Sequence, residues 1–206
     1  MRAFDVRVRT DKEEAMGRIV VSEFVTLDGV MEDPGGAEGF ALGGWAFRFD
    51  RGPEGDKFKL DETLEAEALL LGRVTYEGFA KAWPGRTDEA GFADKMNGMP
   101  KFVVSSSLKN PDWNNSTVLT GDVPEELRRL KERIAGNILV AGSRTLVQTL
   151  IQHGLVDEYR LMVFPTVLGT GKRLFNEGGT VTALELVEAK PVGSGVLTLT
   201  YRPVEG

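Results

Sequence analysis

Three short segments place glycine, hydroxyl and cationic side chains directly after apolar runs that are long enough for buried strands. They are Gly72-Arg73, Ser105-Ser106-Ser107 and Gly142-Ser143-Arg144. A strand that passes through such a turn into a helix aims free backbone N–H groups and the positive end of the helix dipole at one point. Arginine adds a fixed cation with a planar donor fork. Any one segment could be only a tight turn, but three together predict a multiply phosphorylated ligand such as a dinucleotide.

The first of these turns is the one around which the chain is predicted to be organised. Residues 68–71 form a short apolar run that Gly72 ends, and Thr75 is predicted to cap the helix that follows. Glycine also lets a ligand approach the backbone closely. The chain has no G-x-G-x-x-G and no G-x-x-x-x-G-K pattern, which excludes the standard Rossmann fingerprint and the P-loop.

The elements that carry these turns alternate between strand and helix. Strands are predicted over residues 19–26, 68–71, 101–105, 117–119, 137–141 and 157–164, and helices over 54–67, from Thr75, from Pro124 and after Arg144. Strands joined by helical crossovers lie parallel, so the fold class is α/β with a mostly parallel sheet. Residues 184–190 and 195–202 are predicted as a terminal antiparallel pair. Residues 1–16 are predicted as a frayed tail and 17–206 as one domain.

Composition excludes several classes of function. The formal net charge of −6 argues against a broad electrostatic footprint for nucleic acid or for an anionic membrane surface. The chain has no cysteine and one histidine, His153, so cysteine-based and histidine-rich metal sites are excluded and no metal is predicted. No apolar run reaches the length of a membrane span. These observations favour a soluble, cytoplasmic protein with a small-molecule ligand.

The turn segments resemble the three cofactor-binding segments of the dihydrofolate reductase superfamily. The matching stretches are residues 71–77, 103–106 and 140–143. Residues 26–29, 43–47 and 165–175 resemble more specifically the reductase domain of riboflavin biosynthesis, the RibD C-terminal type, in its stand-alone bacterial form. The resemblance runs from about Gly17 to about Arg202. It implies a dihydrofolate reductase-like fold, with a mixed, mostly parallel sheet flanked by helices.

The resemblance also implies the cofactor, NADPH, and a role for each turn. Arg73 would meet the 2′-phosphate, with Thr75 and the helix start beside the phosphates. Ser105 and Ser106 would line the adenosine end. The pyrophosphate would lie on the second helix start, at Gly142, Ser143, Arg144 and Thr145. Folate reductases have paired glycines where this chain has Gly142-Ser143.

At the reacting end, the protein must orient a substrate and manage a proton, and a carboxylate is the usual group for the proton. Asp28 is the first candidate because it ends the first strand, although it could serve only as a turn former. Asp56 is the second, on a helix whose acidic face could equally be solvated. Trp45 and Phe47 lie in a glycine-rich loop and could stack on a flat heteroaromatic substrate, or could only close that loop onto the core.

The predicted function is an NADPH-dependent reductase, similar to the pyrimidine reductase of riboflavin biosynthesis, that acts on a heteroaromatic or carbonyl substrate. Two alternatives remain open at the level of sequence: a nucleotide-binding module without turnover, and a true dihydrofolate reductase. The resemblance further implies a homodimer.

Overall fold

Runs of apolar and β-branched residues form eight strands of one mixed sheet in the computed structural model, which describes residues 16–179 and 181–204. The strands are β1 (Arg18–Thr26), β2 (Ala66–Gly72), β3 (Lys101–Val104), β4 (Ser116–Leu119), β5 (Asn137–Val140), β6 (Glu158–Phe164), β7 (Leu184–Val192) and β8 (Val196–Pro203). The helices are α1 (Gly52–Glu65), α2 (Arg73–Ala82), α3 (Phe92–Gly98), α4 (Val123–Arg133) and α5 (Arg144–Gln152), and a 3-10 turn covers Trp45–Arg48.

The strand order is β4-β3-β2-β5-β1-β6-β8-β7. The first six of these pair in parallel, and helices connect several of them. The last two join in antiparallel fashion, β8 to β6 and β7 to β8. The mixed, mostly parallel sheet with a C-terminal antiparallel pair is therefore confirmed.

Alternate residues of β1 enter different cores because successive side chains of a strand point to opposite faces. Ile19 and Val21 belong to a cluster with side chains of α4 and α5. Val20 belongs to a second cluster with Tyr76 of α2 and Met96 of α3. The sheet is thus covered on both faces, and burial of each such side chain contributes roughly 1.5–3 kcal/mol.

Two predicted boundaries are wrong by a few residues. The helix predicted over 54–67 ends at Glu65, because Ala66 already pairs with Asn137 in the sheet. The helix predicted to start at a Thr75 cap starts at Arg73 instead, since β2 runs into α2 with no loop between them. Residues 1–15 of the predicted tail lie outside the described residues.

Lys101, the first residue of β3, is completely buried. Its ammonium lies 4.3 Å from the ring centroid of Trp113, and burial lowers its pKa to about 8. The ammonium donates to the backbone carbonyls of Asn97, Met99 and Asn114 at 2.9, 2.9 and 3.0 Å. These bonds fasten the start of β3 to the segments on either side of it.

Candidate functional site

The three turns lie side by side at the carboxyl edge of the sheet, because β3, β2 and β5 are consecutive strands. Gly72 pairs in register with Val104, and Ser105 follows Val104 directly. On the other side, the N–H of Gly72 donates to the carbonyl of Gly142 at 3.3 Å. Segments 33 to 70 residues apart in sequence therefore form one continuous rim.

The contact between two of these turns requires glycine. A Cβ on Gly72 would lie 2.1 Å from Oγ of Ser143, and one on Gly142, whose φ is 86°, would lie 2.8 Å from Oγ1 of Thr75. Since neither position has room for a side chain, the N-termini of α2 and α5 can approach each other closely. Two helix N-termini at one place favour an anion through their free N–H groups and their dipoles.

Arg73 is the first residue of α2, and its side chain is 42% exposed. Nη1 donates to both carboxylate oxygens of Glu77 at 2.9 Å, one helical turn further on. An exposed ion pair at this spacing contributes only about 0.3–0.5 kcal/mol. The guanidinium can therefore exchange Glu77 for a phosphate at little cost.

In the serine turn after β3, one hydroxyl group is hydrogen-bonded within the turn and the other is exposed. Oγ of Ser105 accepts from the backbone N–H groups of Ser107 and Leu108 at 3.1 and 2.9 Å. That hydroxyl shapes the turn, which is a common use of serine. Ser106 is exposed at the rim.

At the start of α5, Arg144 is turned towards the segment that follows β6. Its Nε donates to the carbonyl of Arg173 at 3.0 Å, and its Nη2 bonds to Oδ1 of Asn176. Thr145 is exposed on the first turn of the helix. The backbone of this helix start, more than the Arg144 side chain, is thus available to a ligand.

Strand β1 extends beyond the end of its neighbour β5. The two pair from Arg18 with Asn137 to Val21 with Val140, whereas β1 continues to pair with β6 as far as Thr26. Residues 22–26 of β1 therefore lie past the end of β5, which is followed by the turn at Gly142. We call the region between residues 22–26 and Gly142 the β1–β5 opening.

Glu23 lies in this part of β1. Its Oε1 is buried and has no hydrogen-bond partner within the described part of the chain. Burial raises the pKa of its carboxyl to about 8; the ammonium of Lys59 and the backbone N–H of Gly142 oppose the rise, and the carboxylates of Glu62 and Glu38 add to it. The sequence reasoning missed this residue, although a carboxylate between Val21 and Val25 on one face of a strand was an available signal.

Asp28 clamps two loops together. Its carboxylate accepts from Oγ1 of Thr26 at 2.6 Å and from the N–H groups of Leu168 and Gly169 at 3.2 and 2.8 Å. Burial acts to raise the pKa of Asp28, but these hydrogen bonds outweigh it and hold that pKa below its ordinary value. The carboxylate is thus ionised and engaged at neutral pH, and a role in proton transfer stays a prediction.

Asp56 and Phe47 share a shallow hollow of about 190 Å³, which also contains Phe24, Phe49 and Arg51. The Asp56 side chain is 65% exposed and accepts from Nε of Arg51 at 2.6 Å. Phe47 is 74% exposed. The structure therefore brings together two residues that the sequence proposed for the substrate end.

Trp45 is only 1% exposed, so its ring offers no face to a ligand in this conformation. Its Nε1 donates to the carbonyl of Glu32 at 2.8 Å, and its ring packs edge-on against Phe164 at 5.4 Å. It closes the glycine-rich loop onto the core, which is the alternative that the sequence left open. The buried carboxylate of Asp33 also orders this loop, by accepting from backbone N–H groups.

Two negative findings apply to residues 16–179 and 181–204. No group of three acidic or histidine side chains there is arranged to hold a metal ion. No helix in the same ranges has the length and hydropathy needed to cross a membrane.

The sequence model of the RibD C-terminal domain family matches residues 18–198. The uncharacterized protein YyaP of Bacillus subtilis (strain 168) is 28% identical to the chain over 187 residues. That alignment covers 89% of this chain and 94% of YyaP. The family match extends over almost all of the sheet and over all three turns.

Solved structures share the fold at low sequence identity. A protein from Shewanella sp. PV-4 named for riboflavin biosynthesis superposes with a TM-score of 0.73 at 18% identity, over 91% of this chain and 99% of that one. The dihydrofolate reductase of Enterococcus faecalis, solved with NADP(H), superposes with a TM-score of 0.56 at 16% identity, over 91% and 97%. The dihydrofolate reductase-like fold that the sequence resemblance implied is therefore confirmed.

Proposed function

The chain belongs to the RibD C-terminal domain family, and from this premise we propose that it is an NADPH-dependent reductase of a small heteroaromatic or carbonyl substrate. One observation supports the proposal: the three turns with glycine, serine and arginine form a continuous rim that ends at the β1–β5 opening. In open α/β sheets, ligands bind at the carboxyl ends of the strands.

The residues of the rim fit an extended, phosphorylated cofactor. Arg73 is held only by an exposed ion pair with Glu77, which it would exchange for the 2′-phosphate. Thr75 would lie beside that phosphate. Ser105 and Ser106 would line the adenosine end. Gly142, Ser143, Arg144 and Thr145 would surround the pyrophosphate with the N–H groups of α5. When bound, NADPH supplies a hydride, which leaves the protein to orient the substrate and manage a proton.

The residues of the hollow that contains Phe24, Phe47 and Asp56 are suited to contact a flat substrate. Exposed aromatic rings stack on heteroaromatic or conjugated carbonyl groups, and a carboxylate beside them accepts from ring N–H groups. We therefore propose Phe47 and Asp56 as substrate contacts. Trp45 would support them from the core.

The test is a titration with NADPH and with NADH, followed by tryptophan fluorescence. We expect Arg73→Ala to weaken NADPH binding by about 10- to 100-fold, the value of a charge-assisted contact to phosphate, and to leave NADH binding nearly unchanged. Arg129→Ala is the matched control, because Arg129 is also an exposed arginine paired with a carboxylate on its own helix. Equal NADPH affinity in Arg73→Ala and the wild type, with the fold intact, would count against the site.

Assays of NADPH oxidation distinguish this proposal from the two alternative functions. A nucleotide-binding module would bind NADPH but would oxidise none of it with any pterin, pyrimidine or quinone. A true dihydrofolate reductase would reduce dihydrofolate at an enzyme-like rate. The aromatic hollow favours turnover over binding alone.

We also propose a homodimer. Apolar side chains on the terminal hairpin support it, since Leu186 and Val187 of β7 and Leu197 of β8 are exposed. Light scattering of the purified protein tests this proposal, and a monomeric mass at micromolar concentration would refute it.

A further inference from the structure

The β1–β5 opening contains a carboxyl group, that of Glu23, with one oxygen that is not hydrogen-bonded to any of the described residues. Oε1 of Glu23 is buried and has no partner in the described ranges. The carboxylates of Asp28 and Asp33 differ, because each accepts hydrogen bonds from several loop donors. A buried polar atom without a partner costs stability, so its presence at a ligand-binding edge needs a functional explanation.

The surroundings of Glu23 favour the protonated acid. Helix α1 contributes Lys59, whose ammonium hydrogen-bonds to Ser22, and Glu62, which pairs with that ammonium. The glycine-rich loop contributes Glu38, and the turn after β5 contributes the N–H of Gly142. The ammonium of Lys59 is the strongest of the influences that lower the pKa of Glu23, but it also pairs with Glu62, and burial outweighs it. Burial then dominates and raises the pKa of Glu23 to about 8.

We propose that Glu23 is the proton donor of the reductase, and that its carboxyl protonates the substrate atom that becomes electron-rich on reduction. This inference rests on the proposed function. Hydride adds to the carbon of a C=O or C=N group, with oxidation of NADPH to NADP⁺, and the π electron pair moves to the oxygen or nitrogen. The proton of Glu23 then forms the new O–H or N–H bond, and the Glu23 carboxylate takes a proton from water before the next cycle.

The first readout requires no turnover. Glutamate carboxyl signals are followed by isotope-edited NMR from about pH 5 to about pH 9, and the Glu23 signal is the one that Glu23→Gln removes. We expect it to titrate near pH 8 in the free protein and to shift its midpoint in saturating NADPH. Glu132→Gln, at an exposed glutamate of α4, is the matched control for the assignment of the signal. An unchanged Glu23 midpoint in the presence of bound NADPH overturns the proposal.

The second readout is NADPH oxidation with dihydrofolate and with phenanthrenequinone as acceptors. We expect Glu23→Gln to lower kcat by about 100-fold or more, the usual value of a general acid, with the Kd of NADPH changed less than about threefold. The wild-type kcat should fall above about pH 8, and the variant should lack this fall. A Glu23→Gln rate equal to that of the wild type on a reduced acceptor overturns the inference alone. Absence of NADPH binding to the wild type refutes the proposed function instead.

Discussion

Replacement of Glu23 by glutamine should change how stability depends on pH. The pKa of Glu23 rises from 4.5 in the unfolded chain to about 8 in the folded protein. Between these values the folded protein keeps the proton and the unfolded chain loses it. The free energy of unfolding should therefore fall as pH rises, by at most about 1.36 kcal/mol per pH unit, and level off above about pH 8. Summed over the whole range, the contribution reaches up to about 5 kcal/mol.

Glu23→Gln keeps the shape and the neutral state of the protonated acid, and it removes the titration. The assay is urea unfolding of both proteins, followed by tryptophan fluorescence at intervals from about pH 5 to about pH 9. The quantity of interest is the difference in unfolding free energy between variant and wild type. Asp28 and Glu158 have lowered pKa values, so they lose their stabilising effect only at more acidic pH, and their contributions cancel in this difference.

We expect the stability of Glu23→Gln relative to the wild type to increase steadily between about pH 5 and about pH 8. Glu132→Gln is the matched control, because it makes the same substitution at an exposed glutamate of α4. A constant difference for Glu23→Gln would refute the reasoning, since it would mean that burial does not keep Glu23 protonated.

Two further predictions concern the packing around the site. Gly72→Ala should destabilise the protein by about 1–3 kcal/mol and weaken NADPH binding, because its Cβ meets Ser143; Gly72→Ala combined with Ser143→Gly should recover most of both losses, and no recovery would show that the clash lies elsewhere. Lys101→Met should lower the unfolding free energy in urea by about 2–4 kcal/mol, because three carbonyls lose their donor. A neutral effect of Lys101→Met would mean that water replaces the ammonium.

The fold was largely predictable because its signals are local. Each parallel strand is a short apolar run bounded by turn residues, and the predicted strands over 19–26 and 157–164 lie within two residues of β1 and β6. The helix boundary at Glu65 was missed, because it depends on the pairing of Ala66 with a strand more than 70 residues away. Local propensity carries no information about such a pairing.

The candidate site was predictable only in part. Glycine, hydroxyl and arginine after an apolar run are a local pattern, so the three turns could be recognised from the sequence alone. The partners of each side chain could not. Asp28 is ionised because loop N–H groups from residues 168 and 169 reach it, and Trp45 is buried because the loop folds inward onto Phe164.

The sequence by itself determined the α/β class and the three turns, because periodicity and glycine placement are properties of neighbouring residues. The tertiary structure alone decided that the turns form one rim, since this depends on the order of β3, β2 and β5 in the sheet. It also decided that Glu23 is the unusual carboxyl. A pKa depends on burial and on nearby charges, and those come from segments that are distant in the chain.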